Sequence, residues 1–425
     1  MNNKKIETVC VQGTYDPQNG EPRVIPIYQS TTYKYDSSEH LGKLFDLAAP
    51  GHMYSRISNP TAAYVEDHIA AMEGGIGAML VSSGQAASFM AVFNITSAGQ
   101  NFVSLTSIYG GTLNLFAVTM KRMGIEVRFV LPGMTDEEID ALFDENTRLV
   151  FGETLSNPGL SVLDIEKFAK IAHSHNVPLI VDNTFPTPVL CRPIEFGADI
   201  VTHSTTKYMD GHASIVGGVI VDSGNFDWEA AGKYPELTTP DESYHGVIYT
   251  ESFGKAAYIT KARVQLQRDF GCPQQPITAF MLNEGLESLA LRMERHSQNA
   301  QKLAEYLVAN EKVSWVNYPG LPSSDQYALA KKYLPNGCSG VISFGIKGGR
   351  EAAMKFMDSC KLAAIVVHVA DSRTCVLHPA STTHRQLTDK QLEDSGIGAD
   401  LIRMSVGIEH IDDIIADIDQ ALSQV

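Results

Sequence analysis

The chain has 425 residues, 44% of them hydrophobic, and a net charge of −16 from 49 acidic and 33 basic side chains. That apolar content builds a large core, while the acidic balance argues against a nucleic-acid footprint and leaves no basic run for an anionic membrane surface. No stretch approaches the roughly 20 apolar residues needed to cross a bilayer, and Met1-Asn-Asn-Lys-Lys-Ile-Glu-Thr lacks the apolar core of a secretory signal, so the expectation is a cytoplasmic protein with a small-molecule substrate.

Residues 1–63 are rich in turn formers and too irregular for a domain. They read as an arm packed on another subunit, with Tyr54-Ser-Arg56-Ile-Ser-Asn-Pro-Thr61 near its end. Residues 64–272 alternate helical periodicity with the short apolar runs Ala78–Ser82, Asn101–Leu105, Glu126–Val130, Arg148–Phe151, Leu179–Val181, Ile200–Val201 and Gly217–Val221. Continuous apolar strands are buried on both faces, which predicts a mostly parallel sheet flanked by helices, with ligands at the strands' C-terminal ends. Gly74-Gly-Ile-Gly77 precedes its strand, lacks the dinucleotide pattern, and reads as a turn. Residues 225–271, with Pro235, Pro240 and several aromatics, break the pattern and read as an insertion running over the surface or entrance.

Residues 273–425 read as a smaller α/β domain. A long helix over 279–308 leads into strands at Gly340–Ile346, Ala364–Val367 and Leu401–Val406, then a closing helix over 411–422. The six cysteines, Cys10, Cys191, Cys272, Cys338, Cys360 and Cys375, form no Cys-x-x-Cys pair and suggest neither a disulfide scaffold nor a zinc site. His173 and His175, two apart on a helical segment, point in different directions, so no metal is expected.

Two strand ends carry the chemistry. Lys207 closes Ala198-Asp-Ile-Val-Thr-His-Ser-Thr-Thr-Lys207, and Asp182 closes Pro178-Leu-Ile-Val-Asp182. An aldehyde cofactor needs a lysine amine for a Schiff base, and its ring nitrogen needs a carboxylate to stay protonated. Together they suggest pyridoxal phosphate, with a turn role for Asp182 and a surface position for Lys207 as the alternatives. Ser82-Ser83-Gly84-Gln85 follows a strand and opens a helix, so its N–H groups suit a phosphate. Such turns also serve packing alone. Ser204-Thr205-Thr206 supplies hydroxyls for the same phosphate. Tyr109, in Tyr109-Gly-Gly-Thr112, is placed to stack on a planar ring or to pack in the core. Arg403 shares a strand face with Ser405 and suits an amino-acid carboxylate, or a structural ion pair.

Those segments, with Asp182-Asn-Thr-Phe185, His203-Ser-Thr-Thr-Lys207-Tyr, His378-Pro-Ala-Ser-Thr-Thr-His384 and Arg403-Met-Ser-Val-Gly-Ile-Glu409, resemble the cysteine and methionine metabolism family of pyridoxal phosphate enzymes. Within it the chain most resembles the O-acetylhomoserine sulfhydrylases, from Thr8 to Ala421. The resemblance implies an α/β fold of the type I aminotransferase kind, with a mostly parallel central sheet and a smaller C-terminal α/β domain. It implies Lys207 as the Schiff-base lysine, Asp182 on the ring nitrogen with Thr184 beside it, and Gly84, Gln85, Ser204 and Thr206 on the phosphate. Tyr109 would stack on the ring and assist a leaving group. Arg403 would bind the substrate carboxylate, with Asn157 approaching cofactor and substrate.

Tyr54 and Arg56 would reach the phosphate of a neighbouring subunit, which implies a dimer at least and commonly a tetramer. Gln85 and the 225–271 insertion favour the sulfhydrylase branch over the lyases. His368 stands near the substrate where relatives usually have serine or asparagine. The reaction implied is γ-replacement on O-acetyl-L-homoserine by sulfide or methanethiol, giving L-homocysteine or L-methionine and acetate. The rival readings are a methionine or cystathionine γ-lyase and an O-succinylhomoserine sulfhydrylase.

Overall fold

The computed structural model describes residues 4–383, 385 and 398–425. Seven apolar runs become β1 (Gly77–Val81), β2 (Asn101–Leu105), β3 (Glu126–Val130), β4 (Thr147–Glu153), β5 (Leu179–Asp182), β6 (Ile200–His203) and β7 (Gly218–Asp222), ordered β1-β7-β6-β5-β4-β2-β3 in one sheet. Only β7 runs against its neighbours, β1 and β6; the pairs among β2 to β6 are parallel. Strand alternation splits the core in two. Phe151, Ile180, Ile200 and Ile220 face one side, and Val150, Val181, Val201, Val219 and Val221 face the other. Both faces are therefore apolar and both need helices over them, which is why these strands read as unbroken hydrophobic runs.

A helix over Pro60–Glu73 covers the second of these faces. Asn59 caps it by accepting from Thr61 N–H, Pro60 occupies its first turn, and Gly74 ends it in the left-handed region at φ 82°. The expected turn at Gly74–Gly77 thus joins this helix to β1. Within the N-terminal segment, a helix over Ile6–Gln12 buries Val9 and Cys10 in the same core. Val24, Ile27, Tyr28, Phe45 and Tyr54 remain exposed.

The smaller sheet contains β8 (Val313–Asn317), β9 (Val341–Ile346), β10 (Ala364–Ile365), β11 (Cys375–Leu377) and β12 (Leu401–Ser405), ordered β10-β11-β12-β9-β8 and antiparallel except for β10 with β11. β8 and β11 were not legible in the sequence: Val313–Asn317 mixes polar and apolar residues, and Cys375–Leu377 is only three residues long. The single helix expected over 279–308 is two, Pro276–Glu287 and Leu289–Val308, meeting at Ser288. The closing helix spans Ile411–Leu422. His384, the last residue of the His378 motif, lies outside the described residues. Among the described residues, no helix is long and apolar enough to cross a membrane.

The segment 225–271 differs from the expected surface excursion. Trp228, Tyr234, Tyr249 and Tyr258 are buried in the core on the Phe151 face. Trp228 stacks on Tyr258 at 5.4 Å between ring centroids, and Tyr234 packs edge-on to Trp228 at 4.9 Å. The phenol oxygens stay hydrogen-bonded inside: Tyr234 donates to Arg148 O and Tyr258 to Ala91 O. Aromatics that reading the sequence placed at an entrance instead form one wall of the large sheet. Replacing Trp228 with Ala is expected to lower the stability of the folded chain by about 3–5 kcal/mol, read as a shift of the urea unfolding midpoint.

Candidate active site

The parallel strands β4, β5 and β6 end side by side. Glu153 is in register with Asp182, and Asp182 with Thr202. Residues in register on parallel strands point to the same face, so Glu153 and Asp182 stand next to each other there. Asp182 Oδ1 accepts from Thr184 twice, from the N–H at 3.0 Å and the hydroxyl at 2.5 Å. Oδ2 has no protein partner among the described residues. Burial pushes this carboxyl up, against the two Thr184 hydrogen bonds and the charge of His203. A cation placed on Oδ2 would bring it down again.

Just past β6, Ser204 N–H donates to the Thr184 hydroxyl at 2.8 Å, tying the β5 and β6 loops together. The turn continues with Lys207 N–H on Ser204 O and Gly211 N–H on Lys207 O. It thereby presents Lys207 at the same strand ends, within reach of the charge of Arg403. Its Nζ has no hydrogen bond or ion pair among the described residues. Burial lowers its affinity for a proton, and the positive charge of Arg403 lowers it further.

After β1, Ser83 caps the helix Gly84–Phe93 by accepting from Ala86 N–H. The N–H groups of Gly84 and Gln85, in the first turn, have no acceptor among the described residues. They face the β6 turn closely: a Cβ on Gly84 would lie 2.6 Å from Ser204 Cβ, so only glycine fits there. Helix-start N–H groups beside the Ser204 hydroxyl make a cradle for a dianion. Gln85 reaches sideways, donating to Gly111 O and accepting from the Thr112 hydroxyl. This braces the turn that carries Tyr109. The Tyr109 ring, 51% exposed, lies across Gly111, where a Cβ would meet it at 2.5 Å. Tyr109 N–H donates to Glu153 Oε2 at 2.6 Å, which brings Tyr109 to the carboxyl pair.

Arg403 arrives from β12 of the smaller sheet. It donates to Asn157 Oδ1 at 3.4 Å and Val367 O at 3.1 Å, and no carboxylate of the described residues pairs with it. Among the described residues the alternative of a structural ion pair finds no acid, and part of the guanidinium fork is left for an anion. Burial lowers its pKa from the ordinary value. Next to Val367, His368 has its Nε2 buried without a hydrogen bond. Burial first and then the charge of Lys207 hold this imidazole below its ordinary value, with Asp371 and Asp210 opposing. Ala370 N–H donates to the Ser405 hydroxyl and Ser372 to Gly211 O, which stitches this strand-like segment between β12 and the lysine turn.

The structure thus gathers Gly84, Gln85, Tyr109, Asn157, Asp182, Thr184, Ser204, Lys207, His368 and Arg403 around one cleft. Three further expected residues have other contacts within this chain. The Thr206 hydroxyl is engaged with the backbone of Gly217, donating to its O and accepting from its N–H. Arg56 donates to Arg268 O and lies 5.4 Å over the Tyr54 ring, and neither residue contacts the cleft within this chain. Glu153 belongs to the cleft although the sequence reading gave it no role. Its signal was a charged residue two beyond Phe151 on a buried strand, the same placement that singled out Asp182. His173 and His175 separate, donating from Nε2 to Asp199 and Asp140 respectively.

These residues fit pyridoxal phosphate: an unpartnered buried amine, a carboxylate oxygen with nothing of its own to bind, a glycine-only cradle for the phosphate, and a tyrosine ring at the mouth. Residues 7–423 match the family model described as Cys/Met metabolism PLP-dependent enzyme. The chain belongs to that family. It is 48% identical over 425 residues to homocysteine synthase of Schizosaccharomyces pombe, covering 99% of each chain. It is 45% identical to O-acetyl-L-homoserine sulfhydrylase 1 of Thermus thermophilus, covering 99% of this chain and 100% of that one. A crystal structure of a putative O-acetylhomoserine (thiol)-lyase from Campylobacter jejuni superposes with a TM-score of 0.94 at 37% identity, covering 99% of this chain and all of that one; it carries a pyridoxyl-lysine phosphate.

A cation on Asp182 Oδ2 would require Asp182 as an anion. Asp182→Asn is expected to lower kcat roughly 30–100-fold, the loss of one charge-assisted hydrogen bond of about 2–3 kcal/mol. Steady-state kinetics on the cofactor-loaded variant measure it.

Proposed function

We propose that the enzyme catalyses γ-replacement on O-acetyl-L-homoserine, with sulfide as acceptor, giving L-homocysteine and acetate; methanethiol in place of sulfide gives L-methionine. The single observation that carries this reading is the guanidinium of Arg403, bonded to Asn157 and near Lys207, with no carboxylate of the described residues paired to it. An amino acid docked by its carboxylate on Arg403 and Asn157 brings its α-carbon toward Lys207. The names of the relatives, homocysteine synthase and O-acetyl-L-homoserine sulfhydrylase, support the same substrate.

Pyridoxal phosphate, when bound, supplies an aldehyde that links to an amine and a protonated ring that takes up the electrons released at the α-carbon. Lys207, Asp182 with Thr184, and the Gly84, Gln85, Ser204 and Thr206 cradle are the residues that would hold it. Lys207 Nζ removes the proton from the α-carbon; its lowered proton affinity suits a base. It then moves a proton at the β-carbon, which frees the γ-carbon of its acetate. Tyr109, exposed at the mouth, donates a proton to the departing oxygen. Sulfide takes acetate's place at the γ-carbon, and Lys207 returns protons to the β- and α-carbons. His368 lines the substrate side.

The assembly that fits this reading is a dimer at least, with Tyr54 and Arg56 of one subunit reaching the phosphate of the other, and a tetramer as a pair of such dimers. The exposed apolar side chains of the N-terminal arm and the engagement of Arg56 outside its own cleft support it. Residues 64–272 and 273–425 form the cofactor-binding and substrate-carboxylate parts. Six unpaired cysteines accord with the cytoplasm.

Initial rates with O-acetyl-, O-succinyl- and O-phosphohomoserine and O-acetylserine, each with sulfide, test the substrate. Homocysteine from the acetyl ester is expected; 2-oxobutyrate as the main product, with or without sulfide, would point to a lyase instead. Lys207→Ala should lose the absorbance of the lysine-linked cofactor and all measurable turnover, and near-normal activity in that variant would overturn the assignment. Arg403→Lys, which gives up the two-pronged donor, is expected to raise KM for the amino acid about 10–100-fold while changing kcat less.

A further inference from the structure

Glu153 stands out among the groups that the proposed mechanism leaves unused. It is 7% exposed, lies at the end of β4 in register with Asp182, and points to the same face of the sheet. No lysine or arginine of the described residues pairs with either carboxyl. Two buried carboxyl groups on adjacent strands, without a cation of the chain between them, do not both ionise, because each charge raises the cost of the other.

Hydrogen bonds decide which of the two carries the charge. Asp182 Oδ1 receives two donors from Thr184, and the charge of His203 reaches it from β6. Glu153 receives one donor, the Tyr109 N–H. The better-solvated group is Asp182. Burial first, and Asp182 second, push Glu153 well above the usual carboxylate range, with the Tyr109 bond opposing. The titratable groups around the pair are His203 on β6, Tyr109 on the turn after β2, and Lys207 and Arg403 across the cleft.

We propose that Glu153 is a positioning residue that works uncharged: its Oε2 seats the backbone of Tyr109, and its neutral carboxyl leaves Asp182 as the one anion beneath the cofactor ring. The bond at 2.6 Å fixes the residue that starts the short helix Gly110–Asn114, and the Tyr109 ring is held from the other side by Gly111 and the Gln85 brace. Without Glu153 the ring loses its inner anchor. A carboxylate at this position would also compete with Asp182 for the ring's positive charge.

This rests on the placement of the cofactor ring over Asp182. The test compares variants with wild type on the purified, cofactor-loaded enzyme, so it does not depend on which amino acid the enzyme prefers. Two substitutions are needed, Glu153→Gln and Glu153→Ala. The pH titration of the bound cofactor's absorbance is followed alongside kcat and KM. An amide is uncharged and still accepts from Tyr109 N–H, so Glu153→Gln should leave the titration midpoint within about 0.3 pH units of wild type. Glu153→Ala should lose about 10–100-fold in kcat with little change in KM, and Glu153→Gln should recover at least about ten-fold of that loss. A midpoint displaced by about one pH unit or more in Glu153→Gln would show that position 153 is charged in the working enzyme and overturn the proposal. Equal kcat in the Ala and Gln variants would overturn it too. Should Glu153→Ala not fold, the Gln titration decides alone.

Discussion

Two carboxyl groups lie side by side at the ends of β4 and β5 with no lysine or arginine of the described residues paired to either, and the site is arranged around them. A folded protein leaves a buried acid without a partner only where something else supplies one. The proposed supply is the heterocycle of the family's cofactor. The register of three parallel strands sets the geometry: it puts Glu153 beside Asp182, Asp182 beside Thr202, and the Lys207 turn one step farther along. A slip of one residue on β5 would turn Asp182 to the opposite face and bring Asn183 round in its place. Asn183 is in fact fixed on that opposite face, donating to Glu73 Oε1 together with His203, so the register is held from behind as well.

Charge in the cleft is distributed by distance from this centre. The negative end is Asp182; the phosphate cradle of Gly84, Gln85 and Ser204 offers only N–H and O–H dipoles; and the cations Lys207 and Arg403 stand on the substrate side. Burial lowers the proton affinity of both cations. For Lys207 a lowered proton affinity suits a base, whereas a guanidinium keeps its charge regardless. One side chain is thus made reactive and the other left inert by the same physical cause.

The two sheets divide this work. Residues at the ends of the large sheet would face the cofactor in the proposed reading, and β12 of the smaller sheet delivers Arg403, held against Asn157 in the loop after β4. The segment carrying Val367 and His368 joins them, bonded on one side to Arg403 and Ser405 and on the other to the turn after Lys207. Any shift of the smaller sheet would move the carboxylate anchor relative to the lysine.

Composition and periodicity alone determined the large sheet, because strands buried on both faces need unbroken apolar runs and leave that mark whatever surrounds them. The same logic made Asp182, Lys207 and Arg403 visible: a charge ending or interrupting such a run has to be met by something. What only the tertiary structure decided concerns residues whose neighbours are remote in the chain. Glu153 looked like any strand-terminal acid until β5 lay next to β4. Trp228, Tyr234 and Tyr258 looked like surface aromatics in an irregular stretch until they closed over the sheet. β11, at three residues, has no periodicity to read and exists because β12 pairs with it. Side-chain pattern records which face of an element is buried; it does not record what lies against that face, and a lone carboxyl, hydroxyl or ring takes its role from that partner.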